Sequence, residues 1–151
     1  MSGEVPARGG AGAGPGRGLA HVAIATPDAD AVAALFVGAL GAVRGEEEII
    51  DGGGLRIVFL HLGSLVLELL EPRAGHTVAK FLQKRGPGLH HICLDVPDIE
   101  DALRRCREAG VRAIDETPRR GGKGSRIAFL HPKSMGGVLV ELRQRGELPP
   151  E

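Results

Sequence analysis

Apolar residues in this chain recur in two rhythms, every second position and every third or fourth, and the two rhythms alternate in the same order twice. Ala20 to Thr26 and His90 to Val96 alternate at period two, which predicts half-buried strands. Pro27-Asp28 and Pro97-Asp98 end those runs, and the aspartates are natural helix N-caps. Val32, Leu35, Phe36 and Leu40, and then Ile99, Ala102, Leu103 and Cys106, predict the apolar faces of two helices. Gly41 and Gly110 stand where left-handed C-terminal caps are wanted. Leu55 to His61 and Arg126 to His131 are strand-like again, so each half reads as a strand, a helix and about three strands. Between the halves, Thr77 to Arg85 predicts a short helix with Val78, Phe81 and Leu82 on one face and Gly86 at its end.

The two halves repeat in residue type as well as in rhythm. Leu19 to Asp28 (LAHVAIATPD) returns as Leu89 to Asp98 (LHHICLDVPD), and Gly63 to Leu69 (GSLVLEL) as Gly136 to Leu142 (GGVLVEL). His21 is thereby matched with His91, and Glu68 with Glu141. In a strand alternate side chains share a face, so His21 points with Ala23 and Ala25, and His91 with Cys93 and Asp95. Small alanines beside a histidine leave room for an ion and a ligand. A carboxylate among leucines and valines is costly unless paired, protonated or bound to a cation. Taken singly, a strand histidine is most often a hydrogen-bonded core residue and a strand glutamate a solvated one. Their recurrence at equivalent positions favours one divalent metal site built from His21, Glu68, His91 and Glu141. Mixed nitrogen and oxygen donors suit Co, Mn, Ni, Zn or Fe better than Ca or Mg.

Composition narrows the class of protein. At 151 residues, 42% hydrophobic and 25% charged, the chain suits one globular domain or two half-domains sharing a core. Aromatic residues make up 3%, too few for a protein that stacks on bases, and zero net charge gives no global pull toward nucleic acid or anionic lipid. No apolar run approaches the roughly 20 residues of a membrane-spanning helix. The two cysteines, Cys93 and Cys106, fit reduced packing residues, which favours a reducing compartment, the cytoplasm or, in a eukaryote, the mitochondrial matrix. Met1 to Gly18 holds seven of the 24 glycines and reads as a disordered tail; its Arg8 and Arg17 faintly suggest a transit peptide, without the amphipathic helix of one. Residues 145–151 read as a second tail. The expected organisation is one domain over 19–144, with modules 19–72 and 89–144 joined by a helical linker over 73–88.

The same residues resemble a known family. Leu19 to Asp28, Leu67 to Pro72 (LELLEP), Val78 to Leu82 (VAKFL) and Gly88 to Cys93 (GLHHIC) are similar to the methylmalonyl-CoA epimerase family of the vicinal oxygen chelate superfamily. So are Asp115 to Pro118 (DETP), Phe129 to Lys133 (FLHPK) and Gly136 to Leu142. The resemblance runs from about Leu19 to Gln144. It implies an α+β fold of two tandem βαβββ modules, forming a curved, partly open mixed sheet around a metal. It implies that His21, His91 and Glu141 are metal ligands, that Glu68 takes the more variable fourth place, and that cobalt is the ion. It also implies a homodimer.

By the same resemblance the substrate is an acyl-CoA thioester, and Glu141 doubles as a catalytic base. Epimerising the carbon between a carboxylate and a thioester needs a proton removed on one face and one returned on the other. No repeated residue supplies the second base. Glu46, Glu47 and Glu48 are the nearest carboxylates, on the strand or loop after the first helix, and a charge run of this kind reads more readily as solvated than as catalytic. The family commonly reads Pro-Glu-Gln-Gly where this chain reads Asp51-Gly-Gly-Gly54, a departure that weakens any carry-over of a catalytic residue from this region. Coenzyme A phosphates would need a local basic surface, and Pro118 to Arg126 (PRRGGKGSR), with Lys133 beyond it, is either that cradle or a solvated loop. His61, His76 and His131 read as turn or helix-lead residues. Rival functions are a glyoxalase-type lyase acting on a glutathione hemithioacetal and a non-catalytic binding protein of the same fold.

Overall fold

The computed structural model describes residues 16–146. Its elements follow the expected order: β1 (Leu19–Ala25), α1 (Ala29–Leu40), β2 (Val43–Ile50), β3 (Leu55–Leu62), β4 (Leu65–Pro72), α2 (Thr77–Arg85), β5 (Gly88–Asp95), α3 (Ile99–Glu108), β6 (Arg119–Arg120), β7 (Arg126–Leu130) and β8 (Val140–Gln144). One eight-stranded sheet runs β2-β3-β4-β1-β5-β8-β7-β6. Each half occupies a contiguous block of it. Within a half, first and last strands pair in parallel, β1 with β4 and β5 with β8. The halves meet along one antiparallel seam, β1 with β5.

Strand parity divides the sheet into two faces. Val58, Leu60, Leu67 and Leu69 turn to the convex side and pack under Ala29 and Ala33 of α1. Ala128, Leu130, Val140 and Leu142 do the same under Ile99, Ala102 and Leu103 of α3. Ala23, Ala25, Leu55, Ile57 and Leu70 turn to the concave side with Val78 of the linker helix α2. The helix starts follow the local sequence: Asp28 accepts a hydrogen bond from Ala31 N and Asp98 one from Asp101 N. Gly41 closes α1 in the left-handed region at φ 75°.

Three details depart from the sequence expectation. Leu35 and Leu40 of α1 are 68% and 61% exposed, because Ala29 and Ala33 let the helix lie close to the sheet and set its inner face. The first strand after α3 is reduced to two residues of β6 and a single bridge, Ala113 to Leu130. Backbone pairing begins at Arg17, whose N–H donates to Asp95 O, while Asp95 N donates to Gly18 O. Residues 1–15 and 147–151 of the expected tails lie outside the described residues. Both cysteines are free, and no described helix is long and apolar enough to cross a membrane.

Candidate metal centre

The seam places the four repeated residues. Ala23 of β1 stands between Glu68 of β4 on one side and His91 of β5 on the other. In the adjoining row Cys93 of β5 stands between His21 of β1 and Glu141 of β8. Each row is therefore glutamate, small residue, histidine, and the two rows are related by the repeat. Ala23 and Cys93 are fully buried, and their small size lets the longer side chains lean together over them. His21, Glu68, His91 and Glu141 are all buried, at 6 to 8% exposure.

Three donor atoms converge. His21 Nε2 lies 3.1 Å from His91 Nε2 and 3.2 Å from Glu141 Oε1, and His91 Nε2 lies 3.1 Å from Glu141 Oε1. Ligands about 2.0–2.1 Å from a transition ion stand roughly 3.0 Å apart at a right angle and about 3.4 Å apart at the tetrahedral angle. The triangle falls between those limits, and its two nitrogens and one oxygen are borderline donors. Among the described residues this trio is the one group whose geometry fits a metal ion. Glu68 approaches from elsewhere: its Oε2 is 2.5 Å from His21 Nδ1, the opposite ring nitrogen. That contact is not aligned as a hydrogen bond, so His21 Nδ1 is buried without one.

Electrostatics follow from this crowding. Burial works against charge on His21, but the carboxylates of Glu141 and Glu68 outweigh it and raise its pKa to about 9. Burial would raise Glu141, yet hydrogen bonds from His21 and His91 hold it well below the usual carboxylate range. The Cys93 thiol is pushed far up, first by burial and then by the charge of Glu141, which keeps it neutral. Two imidazoles held against one ionised carboxylate at contact distance are a donor set that a divalent cation satisfies.

A backing residue escaped the sequence reading. His90 falls at the irregularity in the β1–β5 pairing; its Nδ1 lies 2.8 Å from His91 Nδ1, and its ring packs edge-on against Phe81 of α2 at 4.8 Å. Burial, then the neighbouring His91, lowers its pKa to about 4, so it stays neutral. The far nitrogen of His91 is thus engaged and its Nε2 is turned to the site, the arrangement that orients metal-bound histidines. The ring of Phe129 meets His91 edge-on at 5.4 Å. The adjacent HH in the sequence was a signal, but only α2 decides which ring backs which.

The remaining candidates sit apart. His61 is exposed at the end of β3, and its ring leaves no room for a Cβ at Gly45. His76 caps α2 by accepting from Val78 N and bonds Asp51 at 2.7 Å. His131 accepts from Lys133 N in a turn. In the basic loop, Lys123 holds a left-handed conformation and pairs with Glu46 across the mouth of the sheet. Arg119 pairs with Asp115, and Arg126 with Glu100.

Comparison with known proteins agrees with this architecture. Residues 20–129 match the model of the glyoxalase/bleomycin resistance protein/dioxygenase superfamily. The human mitochondrial methylmalonyl-CoA epimerase is 41% identical over 128 residues, covering 83% of this chain and 73% of its own. The crystal structure of the Mycobacterium tuberculosis methylmalonyl-CoA epimerase superposes with a TM-score of 0.82 at 39% identity, covering 90% of this chain and 93% of that one. A variant of the Streptomyces coelicolor methylmalonyl-CoA epimerase, in complex with 2-nitronate-propionyl-CoA, gives 0.80 at 35% identity, covering 90% and 99%. The chain belongs to the glyoxalase/bleomycin resistance protein/dioxygenase superfamily, and within it to the group whose relatives are named methylmalonyl-CoA epimerase.

Proposed function

We propose that this chain is a metal-dependent epimerase interconverting the (R) and (S) forms of methylmalonyl-CoA. The observation that carries the proposal is the triangle of His21 Nε2, His91 Nε2 and Glu141 Oε1, contributed by both halves and open to the concave face. His21, His91 and Glu141 would hold the ion, with Glu68 as the fourth candidate. A divalent ion so held supplies charge stabilisation for the enolate oxygen of a bound thioester. Cobalt is the proposed ion; Mn, Ni and Zn suit the same donors.

This chain's residues supply the rest. Glu141 presents Oε1 to the triangle, leaving Oε2 to take or give a proton at the α-carbon. His90 and Phe81 fix His91, and Phe59 and Phe129, opposite Glu68 and Glu141 in the sheet, wall the concave face with apolar surface. For the coenzyme, Lys123 and the arginines around it are the proposed phosphate contacts, with Lys123 leaving Glu46 to make them. A homodimer is proposed too, and exposed Leu35, Leu40 and Val43 offer apolar surface for one. The proposed compartment is reducing, in keeping with two free cysteines and with mitochondrial relatives.

The test is α-proton exchange of methylmalonyl-CoA in deuterated water, followed with metal analysis of the purified protein. Exchange should vanish on chelation and return with Co or Mn. His91→Ala and Glu141→Ala should each slow it by on the order of 10²-fold or more. Exchange indifferent to chelation, or near-normal in both variants, would sink the proposal. Turnover of the hemithioacetal of methylglyoxal without thioester exchange would move the chain to the lyases.

A further inference from the structure

The linker helix α2 reaches the metal centre through two rings. Its Phe81 packs on His90, and His90 engages the nitrogen of His91 that points away from the donor triangle. A helix of nine residues is too short to hold itself together in water, so its placement comes from what it touches. Val78 is buried with Ala23, Ala25 and Leu70, and Phe81 and Leu82 pack beside it. Apolar contact has no direction: it decides which side of α2 faces the sheet, but not how far the helix slides along it. A directional tie is needed, and it sits at the start of the helix.

His76 makes that tie with both ring nitrogens. Nδ1 accepts from Val78 N at 3.1 Å, capping the first turn, so the ring carries its proton on Nε2. Nε2 donates to Asp51 Oδ2 at 2.7 Å, in the turn that joins β2 to β3. The turn is shaped for this bond. Gly52 and Gly53 both take positive φ, but Asp51 is a non-glycine residue at φ 54°, a conformation that costs it energy. Gly54 lies at φ −78°, open to any residue, yet a Cβ there would come within 3.3 Å of His76 Cδ2 and 3.1 Å of Asp51 O. That glycine is required for room. The backbone is stitched to the same place, since Arg73 N donates to Gly54 O at 2.8 Å and His76 N to Arg73 O at 3.2 Å. Strain at Asp51 and closeness at Gly54 have one product, a carboxylate held against His76.

We infer that Asp51 and His76 are positioning residues of the metal centre, a clasp that fixes α2 and, through Phe81 and His90, sets the ring of His91. The inference rests on the metal-centre reading above. Neither residue touches the ion or the substrate. With the clasp open, α2 can shift and Phe81 no longer holds His90. The ion must then order His91 as it binds, and affinity falls although all the donors remain.

The test is cobalt binding to the full chain by equilibrium dialysis, alongside kcat and KM for methylmalonyl-CoA at saturating cobalt. Asp51→Gly relieves the strained backbone and removes only the carboxylate, so a residue that merely shaped the turn would be improved by it. His76→Asn keeps an oxygen to cap Val78 N but gives up the bond to Asp51. Each should weaken cobalt binding on the order of 10-fold and lower kcat with KM unchanged, while the urea midpoint shows both folded. The double variant should lose no more than either single one, because both break the same bond. Asp51→Asn, which tolerates the left-handed turn and still accepts from Nε2, should bind cobalt nearly as the unaltered chain does. Unchanged cobalt affinity in Asp51→Gly and His76→Asn, or losses that add in the double variant, overturns the assignment. Failure of the cobalt-loaded unaltered chain to interconvert methylmalonyl-CoA removes the epimerase reading and leaves the clasp to be judged on the affinities.

Discussion

Ala23 and Cys93 show how much a site owes to residues that do no chemistry. Each is fully buried between a histidine and a glutamate in its row, and a larger side chain there would stand where the donors converge. Ala23→Val adds two methyl groups to a closed space, which costs about 1–3 kcal/mol by overpacking. Urea denaturation should show that loss, and equilibrium dialysis should show cobalt binding weakened along with it. The parity that placed Ala23 beside His21 was legible in the alternating pattern. The part played by His90 was not, because it depends on Phe81, a residue from the linker helix that no local pattern relates to His91.

Among the elements, α1 and β2 are held together from outside by a charge cluster. Arg56 of β3 bonds Asp30 and Glu47, and Arg44 bonds Asp30 at 2.7 Å. Hydrogen bonds from Arg56 and then Arg44 lower the Asp30 pKa from 3.8 to about 2. A depressed carboxylate contributes stability that is present above its unfolded pKa and is lost as pH falls through the folded one. Asp30→Asn should therefore lower the urea midpoint slightly at neutral pH, leave it nearly unchanged once pH falls to about 2, and so flatten the decline between about pH 4 and pH 2, the whole effect staying small because the group is exposed. Helix positions and their caps were readable from Asp28, Asp98 and the glycines. The buried side of α1 was not, since periodic leucines mark an apolar stripe but Ala29 and Ala33 decide how closely the helix can lie. The shrunken strand β6 was equally hidden, for the repeat predicts a full strand where the chain instead spends residues on the basic loop.

At the scale of the whole molecule, the two halves each contribute one imidazole and one carboxylate. Separate chains of residues 16–86 and 88–146 should bind cobalt far more weakly than the intact protein in equilibrium dialysis, and mixing them should recover part of the affinity. The duplication and the mixed sheet could be read from the sequence because rhythm and residue type repeat together.

The seam itself has a further consequence. Sliding β5 along β1 by two residues would keep every apolar side chain on its own face, so hydrophobic patterning does not forbid it. It would, however, carry the paired histidines about 6.8 Å past each other and open the triangle. Two irregularities in the pairing, between Leu19 and His21 and between Ala23 and Ile24, bracket the two residues of β1 that face the site. They act as pegs at either end of a ruler, holding the strands to the one alignment in which the donors meet.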